Sequence, residues 1–230
     1  MKITLNKYGW ATLIAIFFHT IGLIGILFFD RTFFVEATVF NLLISLLLLF
    51  WTGPNRQAGF WIFFIVAAII GFGSEAIGIN TGKLYGLYRY THNLGPMWLG
   101  VPLIIAVNWF IVTYCVASTV HALFHKLSAG LPEGAPKTSP WLKFTSVVID
   151  GATLAIFFDW IMEPVAVKLG YWQWLENGSI PAFNYISWFV ISMTILICFE
   201  LLQFNRRNKF AVNLLLIQIM FFLLLRTFLE

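Results

Sequence analysis

Charge is scarce in this sequence of 230 residues, which has 14 basic and 10 acidic side chains. Charged residues make up 10% of the chain and hydrophobic residues 60%, whereas a soluble domain carries about 25% charge. These values exclude a disordered chain, a collagen and a small disulfide scaffold. Seven apolar spans of about 20 residues would need about 140 positions, which matches the hydrophobic 60% of the chain. The composition therefore predicts an all-α, polytopic integral membrane protein.

Cysteine and histidine are also rare. Cys115 and Cys198 both lie in apolar runs, where a disulfide framework is not expected. His121 and His125 have the i, i+4 spacing that can present two imidazoles to a metal. The chain has only four histidines, however, too few for a membrane di-iron enzyme, so we expect no metal site.

Several sequence motifs are absent as well. The chain has no glycine-rich phosphate loop, no dinucleotide fingerprint and no nucleophile elbow. Redox and ATP-driven chemistry therefore have no support, and we expect no cofactor. The net charge of +4 requires no nucleic-acid partner, because basic residues of membrane proteins collect in cytoplasmic loops.

Long charge-free runs define the predicted helices within a single transmembrane domain covering 1–230. Seven spans are predicted, at about 8–29, 33–51, 58–79, 98–123, 144–163, 184–204 and 210–228. The first lacks a small-residue cleavage site and is interpreted as a span, not a signal peptide. The leucine-rich second and seventh spans are expected to face lipid, and the third to fifth, which carry polar residues, to face the bundle interior. The segment 126–143 is predicted to be a plain connector.

The distribution of Lys and Arg predicts the orientation. Nine basic residues fall on the side of the N-terminus: Lys2, Lys7, Arg56, Lys126, Lys137, Lys143, Arg206, Arg207 and Lys209. Five fall on the other side: Arg31, Lys83, Arg89, Lys168 and Arg226. The positive-inside rule therefore places the N-terminus in the cytoplasm and the protein in the cell membrane. The two long polar loops, 80–97 and 164–183, then lie on the non-cytoplasmic side.

Four acids inside the spans are the most informative residues. An ionisable group there costs about 2.5–3.5 kcal/mol on insertion scales, so each acid needs a partner, a cavity or a function. Asp159 and Glu163 are about 40° apart around a helix and share one face, whereas Asp150 is about 180° from Asp159. Pro164 is expected to end that helix and leave Glu163 near the interface. Glu75, near the end of the third span, is predicted to lie on the same side of the membrane as Asp159 and Glu163.

Two nearby carboxyl groups in a low dielectric cannot both ionise cheaply, so at least one is expected to keep its proton. It would then be a general acid that needs no cofactor. The alternative is structural: hydrogen bonds between helices, or ion pairs with Lys83, Arg89 or Lys168. This alternative is strongest for Asp150.

The two polar loops are rich in aromatic residues. His92 lies in the first loop and is either an interfacial anchor or an acid–base participant. The aromatic residues form either an interfacial belt or a slot that grips a long conjugated lipid and stabilises a carbocation. The substrate-binding candidates are Tyr85, Tyr88, Asn93, Trp98, Trp172 and Trp174.

Two segments resemble the carotenoid biosynthesis protein family. They are EAIGINTGKLYGLYRYTHNLGPMWLGVP, at 75–102, and DGATLAIFFDWIMEPVAVKLGYWQW, at 150–174. Many relatives are expected to have Asp-Pro where this chain has Glu163-Pro164, which conserves the carboxylate. The characterised members are hydratases that act on acyclic (ψ) carotenoid ends.

The resemblance implies addition of water across the terminal C1=C2 double bond of a carotenoid in the bilayer. The acid would be Asp159 or Glu163, and Glu75 the base or water-positioning group, with Tyr85, His92 and Asn93 as further candidates. Three alternatives stay open: a membrane carotenoid cyclase that uses the same protonation, a proton-coupled transporter, and a non-catalytic carotenoid-binding subunit. Nothing in the sequence indicates the oligomeric state.

Overall fold

A computed structural model describes residues 6–54, 56–130, 139–176 and 178–229. Lys2 and Lys137, counted in the orientation prediction, lie outside these ranges, as do residues 131–138 of the predicted connector at 126–143. Within them are eight α-helices: α1 (Lys7–Phe28), α2 (Arg31–Glu36), α3 (Thr38–Thr52), α4 (Ala58–Thr81), α5 (Ile104–Ala129), α6 (Pro140–Lys168), α7 (Ala182–Leu201) and α8 (Lys209–Phe228).

Seven of the described segments are long and apolar enough to cross a membrane, with α2 and α3 together forming the second. The all-α, multi-pass membrane architecture is thereby confirmed. Successive spans alternate in direction, so the loops at 82–103 and 169–181 lie together at one end of the bundle. We call this end the distal face.

The fourth span begins at Ile104, so the predicted start at residue 98 was wrong. Strands β2 (Met97–Trp98) and β3 (Val101–Pro102) form a hairpin immediately before α5. Leu99 and Gly100 between them have positive φ values of 53° and 80°, as a type I′ turn requires.

The fifth span does not end at Pro164, as the sequence predicted, because α6 continues to Lys168. A proline inside a helix leaves the carbonyl four residues earlier without its usual N–H donor. That carbonyl belongs to Trp160, and it accepts a hydrogen bond of 3.0 Å from Nη1 of Arg226 on α8. Arg226 thus supplies the hydrogen bond that the nitrogen of Pro164 cannot donate. The helix continues past the proline, and Glu163 consequently lies within it.

Helix α5 is the centre of the bundle and packs against α3, α4, α6, α7 and α8. In its most apolar stretch, 78% of the residues are buried. Helix α4 approaches α5 closely at Gly71, where a Cβ atom would lie 2.2 Å from Cγ of Trp109. Any larger residue at position 71 would displace Trp109, whose indole is part of the site described below.

The bundle has two sides that flank α5. Helix α1 packs against α2, α3 and α8, whereas α7 packs against α4, α5 and α6. Helix α8, predicted to face lipid, also packs against α5 and α6 and buries Gln218. A cavity in the distal half of the bundle lies between these helices.

Candidate active site

A two-stranded ribbon covers the cavity at the distal face. Strand β1 (Tyr88–Tyr90) pairs antiparallel with β4 (Trp172–Trp174), so that Tyr88 lies opposite Trp174 and Tyr90 opposite Trp172. Because side chains alternate along a strand, these four aromatic residues share one face of the ribbon. The other face exposes Arg89 and Gln173, which are linked by a hydrogen bond of 3.3 Å.

Two tyrosines of the ribbon donate hydrogen bonds to Glu75 of α4. The hydroxyl groups of Tyr88 and Tyr90 both contact Oε2, the latter at 3.1 Å. Nε1 of Trp109 donates to Oε1 at 3.2 Å. Glu75 is 5% exposed, so these three donors replace water around its carboxyl group.

Two tryptophans of the ribbon donate to Glu163 of α6. Nε1 of Trp172 and Nε1 of Trp174 each lie 2.7 Å from the same oxygen, Oε1. An indole N–H can only donate. Each side of the ribbon is therefore tied to one buried acid, Glu75 by the tyrosines and Glu163 by the tryptophans.

Asp159 of α6 is bound differently. Its Oδ2 accepts a hydrogen bond of 2.9 Å from Nδ2 of Asn184 on α7. Its Oδ1 is buried and has no hydrogen-bond partner among the described residues, although buried polar atoms in native proteins are nearly always paired. Asp159 itself is fully buried, with 0% exposure.

The three acids line one cavity with an empty volume of about 980 Å³. Tyr85, Tyr88, Trp172 and Trp174, named from the sequence as substrate-binding candidates, also line it. Within the part of the chain that the structure describes, no Lys or Arg contributes to the lining. The largely aromatic walls are those of a pocket for an apolar ligand.

The acids form no ion pair with Lys83, Arg89 or Lys168, all within the described ranges, but Glu75 and Asp159 do make hydrogen bonds between helices, the other form of the structural alternative. Among the described residues, both contacts of salt-bridge distance go to Glu200, from His121 and Arg206 near the opposite end of the bundle. Lys168 instead donates to the carbonyl of Leu229. Glu75, Asp159 and Glu163 are thus surrounded by neutral donors and aromatic rings.

The ribbon tyrosines remain hydrogen-bond donors at any ordinary pH. Burial raises the pKa of Tyr88 and of Tyr90 above the usual value near 10, and the nearby Glu75 carboxyl group raises both further. A raised pKa means that the neutral phenol persists to higher pH. Both O–H groups therefore stay available to Glu75 throughout the physiological range.

Tyr85, which precedes strand β1 in the chain, is held in place by burial and by a hydrogen bond. Its side chain is 1% exposed, and its hydroxyl group lies 2.8 Å from Oγ of Ser74. Its φ of 67° is unusual for a residue other than glycine, so the burial and the hydrogen bond hold it in a conformation that a free loop would rarely adopt.

Four residues predicted from the sequence do not line the cavity. Asp150 is exposed on α6, and His92 is exposed at the distal face. Trp98 is 62% exposed and stacks on Phe72, as expected of an interfacial aromatic residue. Asn93 joins the two polar loops by donating to the carbonyl of Gly170 at 3.0 Å. None of the four is among the residues that line the cavity, and the roles assigned to them from the sequence stay predictions.

Several cavity residues were missed by the sequence analysis. Asn184, His19 and Gln218 are polar residues inside apolar runs, so the argument applied to the acids could have found them. Tyr90 lies in the same aromatic-rich loop as Tyr85 and Tyr88 but was not among the candidates. Trp109 had no distinguishing signal, because it is one of ten tryptophans.

The residues that could bind a metal are not gathered in one place. Among the described residues, no group of three or more His, Cys, Asp or Glu side chains has the arrangement of a metal site. Nε2 of His121 lies 2.5 Å from Oε1 of Glu200, and His125 is exposed.

Comparison with known proteins gives two matches. The family described as "Carotenoid biosynthesis protein" matches residues 33–230. The bisanhydrobacterioruberin hydratase of Haloarcula japonica is 30% identical over 131 residues, which cover 55% of this chain and 44% of that protein. The chain thus matches less than half the length of this curated relative. No solved structure matches the chain.

Proposed function

Because the chain belongs to the carotenoid biosynthesis protein family, we propose that it is a hydratase that adds water across the terminal C1=C2 double bond of an acyclic carotenoid end. The product is a tertiary alcohol at C1. The observation that carries the proposal is the unpartnered Oδ1 of Asp159 in an aromatic cavity. The hydratase name of the relative supports the same reaction class.

Asp159 fits the role of proton donor better than the other two acids. An ionised carboxylate with one bare oxygen in an apolar site would be very unfavourable, whereas a neutral carboxyl group needs less compensation. Asn184 supplies one donor to Oδ2, which leaves Oδ1 as the oxygen that carries the proton. A carboxylic acid in this state can protonate C2 of the double bond, since C2 is the carbon whose protonation gives a tertiary cation at C1.

Glu75 and Glu163 fit the stabilisation of that cation. Each accepts hydrogen bonds from two or three neutral donors, and such bonds offset part of the cost that burial imposes on the ionised form. Fixed negative charge near a developing positive charge is an effective catalytic device in a site that excludes water. Glu75 was predicted to be the base or the water-positioning group, but both of its oxygens already accept hydrogen bonds, which suits it to holding charge more than to taking up a proton or binding water.

Aromatic faces add to this stabilisation. The rings of Trp109 and Trp188 stack with their centroids 4.2 Å apart, and both line the cavity. The face of an indole attracts a cation. Water then attacks C1, and the loss of a proton from the added water completes the alcohol.

The test compares matched carboxyl-to-amide variants in a host that accumulates lycopene or γ-carotene. Asp159→Asn is expected to lower formation of the hydrated carotenoid at least about 100-fold, the usual contribution of a general acid. Asp150→Asn removes an exposed acid from the same helix and is expected to leave the activity unchanged. Wild-type activity in Asp159→Asn would refute the assignment.

Product mass separates hydration from its alternatives. A hydratase adds the mass of one water molecule to the pigment, whereas a cyclase leaves the mass unchanged. Uptake of a solute by proteoliposomes without pigment conversion would identify a transporter. Unchanged pigment that co-purifies with an inactive protein would identify a carotenoid-binding subunit.

A further inference from the structure

A second set of polar side chains lines the cavity on a side formed by α1, α3, α5 and α8. It comprises His19 of α1, Asn41 of α3, Asn108 of α5 and Gln218 of α8. None of the four is charged at neutral pH in its ordinary state. The acids, by contrast, lie on α4 and α6, with Asn184 of α7 beside Asp159.

One polar atom of this set is buried without a partner in the described part of the chain. Gln218 is 4% exposed, and its Oε1 has no hydrogen-bond partner among the described residues. Buried amide groups without partners are costly, and Gln218 lies near the middle of α8, where the surrounding bilayer is driest. A small polar ligand in the cavity would supply the missing partner.

His19 is held in one tautomer. Its Nδ1 lies 2.8 Å from the carbonyl oxygen of Ala15, which can only accept, so Nδ1 carries a hydrogen. Nε2 of the neutral ring then has a free lone pair. The ring is 7% exposed, lines the cavity and packs edge-on against Phe221. His19 is therefore oriented as a hydrogen-bond acceptor and a base.

This side of the cavity does not match a hydrocarbon. A ψ end has no polar atom to satisfy an amide or an imidazole, whereas water both donates and accepts. His19 lies on α1, which packs against α3 and α8, whereas Asp159 and Asn184 lie on α6 and α7, which pack against each other. The imidazole and the Asp159–Asn184 pair thus reach the cavity from different helices, so a double bond in the cavity could take up a proton from the pair and water from the imidazole.

We propose that His19 and Gln218 bind the water molecule that is added to the carotenoid, with His19 as the base that receives its proton. The proposal rests on the hydratase function. Asp159 gives H⁺ to C2, and the π electrons of C1=C2 form the new C–H bond. The oxygen of the bound water then forms a bond to C1, and the proton that it loses goes to Nε2 of His19. Transfer of that proton to solvent and reprotonation of Asp159 by solvent restore the enzyme, so the balance is alkene plus water to alcohol.

Protonation of the double bond and addition of water to the cation can be distinguished in D₂O. If His19 acts only after the cation has formed, His19→Gln still forms the cation. That cation then loses a proton from carbon and returns to an alkene. We expect His19→Gln to make at least about 100-fold less alcohol, while the recovered ψ-end carotenoid gains carbon-bound deuterium. Asp159→Asn is expected to lose both alcohol formation and deuterium uptake.

Two further variants serve as checks. Gln218→Met keeps the size of the side chain but removes the amide, and it should shift products in the same direction as His19→Gln. His125→Gln alters an exposed histidine near the opposite end of the bundle and should behave as wild type. All variants are compared by their midpoints of thermal unfolding in detergent.

The outcomes are distinct. Full alcohol formation in His19→Gln would overturn the proposal. Loss of both alcohol formation and deuterium uptake in His19→Gln would also overturn it if that variant is as stable as wild type. If His19→Gln does not fold, Gln218→Met decides: normal hydration in that variant overturns the water site. Failure of wild type to hydrate any ψ-end carotenoid would instead refute the hydratase function.

Discussion

At the scale of single residues, the three buried acids differ in the number of donors that face them. Glu75 accepts three hydrogen bonds, Glu163 two and Asp159 one. Glu75 and Glu163, which accept more hydrogen bonds, are suited to hold a negative charge. Asp159, which accepts one, is suited to carry a proton, although all three acids line one cavity.

Removing a donor from Glu75 should therefore slow the reaction without abolishing it. A hydrogen bond to a charged group contributes about 1.5–3 kcal/mol, so Tyr88→Phe and Tyr90→Phe are each expected to lower kcat/KM by about 10- to 150-fold. The measurement is the rate of alcohol formation in membranes. Tyr8→Phe, at the opposite end of the bundle, is the control, and equal effects of all three changes would argue against a specific role for the ribbon tyrosines.

The acids could be predicted from the sequence because charge is so rare inside the apolar runs. The hydrogen-bond partners of the acids could not be predicted in the same way. Trp109 and Asn184 reach the acids only through helix packing, across 34 and 25 positions of the chain, and no local pattern indicates such a contact. His19 and Gln218 were visible as polar residues in spans, but only the cavity shows that they face the same space as the acids.

At the scale of helices, the pairing of Pro164 with Arg226 keeps α6 continuous past Glu163. The guanidinium group of Arg226 also lies 4.4 Å from the centre of the Trp160 ring. Sequence rules correctly located the helix but ended it at Pro164, because the donor that compensates the proline comes from α8, which lies 62 residues later in the chain. The hairpin at 97–102 was missed for a related reason: its residues are apolar and extend the hydrophobic run.

Arg226→Met should destabilise the protein in the wild-type background but much less in a Pro164→Ala background. Alanine restores an N–H group that can donate to the Trp160 carbonyl, so Arg226 is no longer needed there. We expect a coupling of about 1 kcal/mol or more between the two changes, measured from thermal unfolding of the four proteins in detergent. Arg207→Met, an exposed residue near the opposite end, is the matched control, and simple additivity would contradict the compensation.

At the scale of the whole molecule, most of the basic residues and the cavity lie toward opposite ends of the bundle. The cavity and ribbon belong to the distal face, and the cluster of His121, Glu200 and Arg206 belongs to the other end. The positive-inside rule predicts that the distal face is the non-cytoplasmic one. In that orientation, the proton and the water used in the reaction would come from outside the cytoplasm.

Single cysteines at the two ends test this orientation. Ser179 is exposed in the loop that follows the ribbon, and Ser128 is exposed near the end of α5 at the opposite face. A membrane-impermeant maleimide should label Ser179→Cys in intact cells and Ser128→Cys only after permeabilisation. The native Cys115 is buried and Cys198 partly so, and wild type measures their background. The reverse labelling pattern would place the cavity on the cytoplasmic side, and the nine-to-five bias in basic residues would then not govern insertion of this chain.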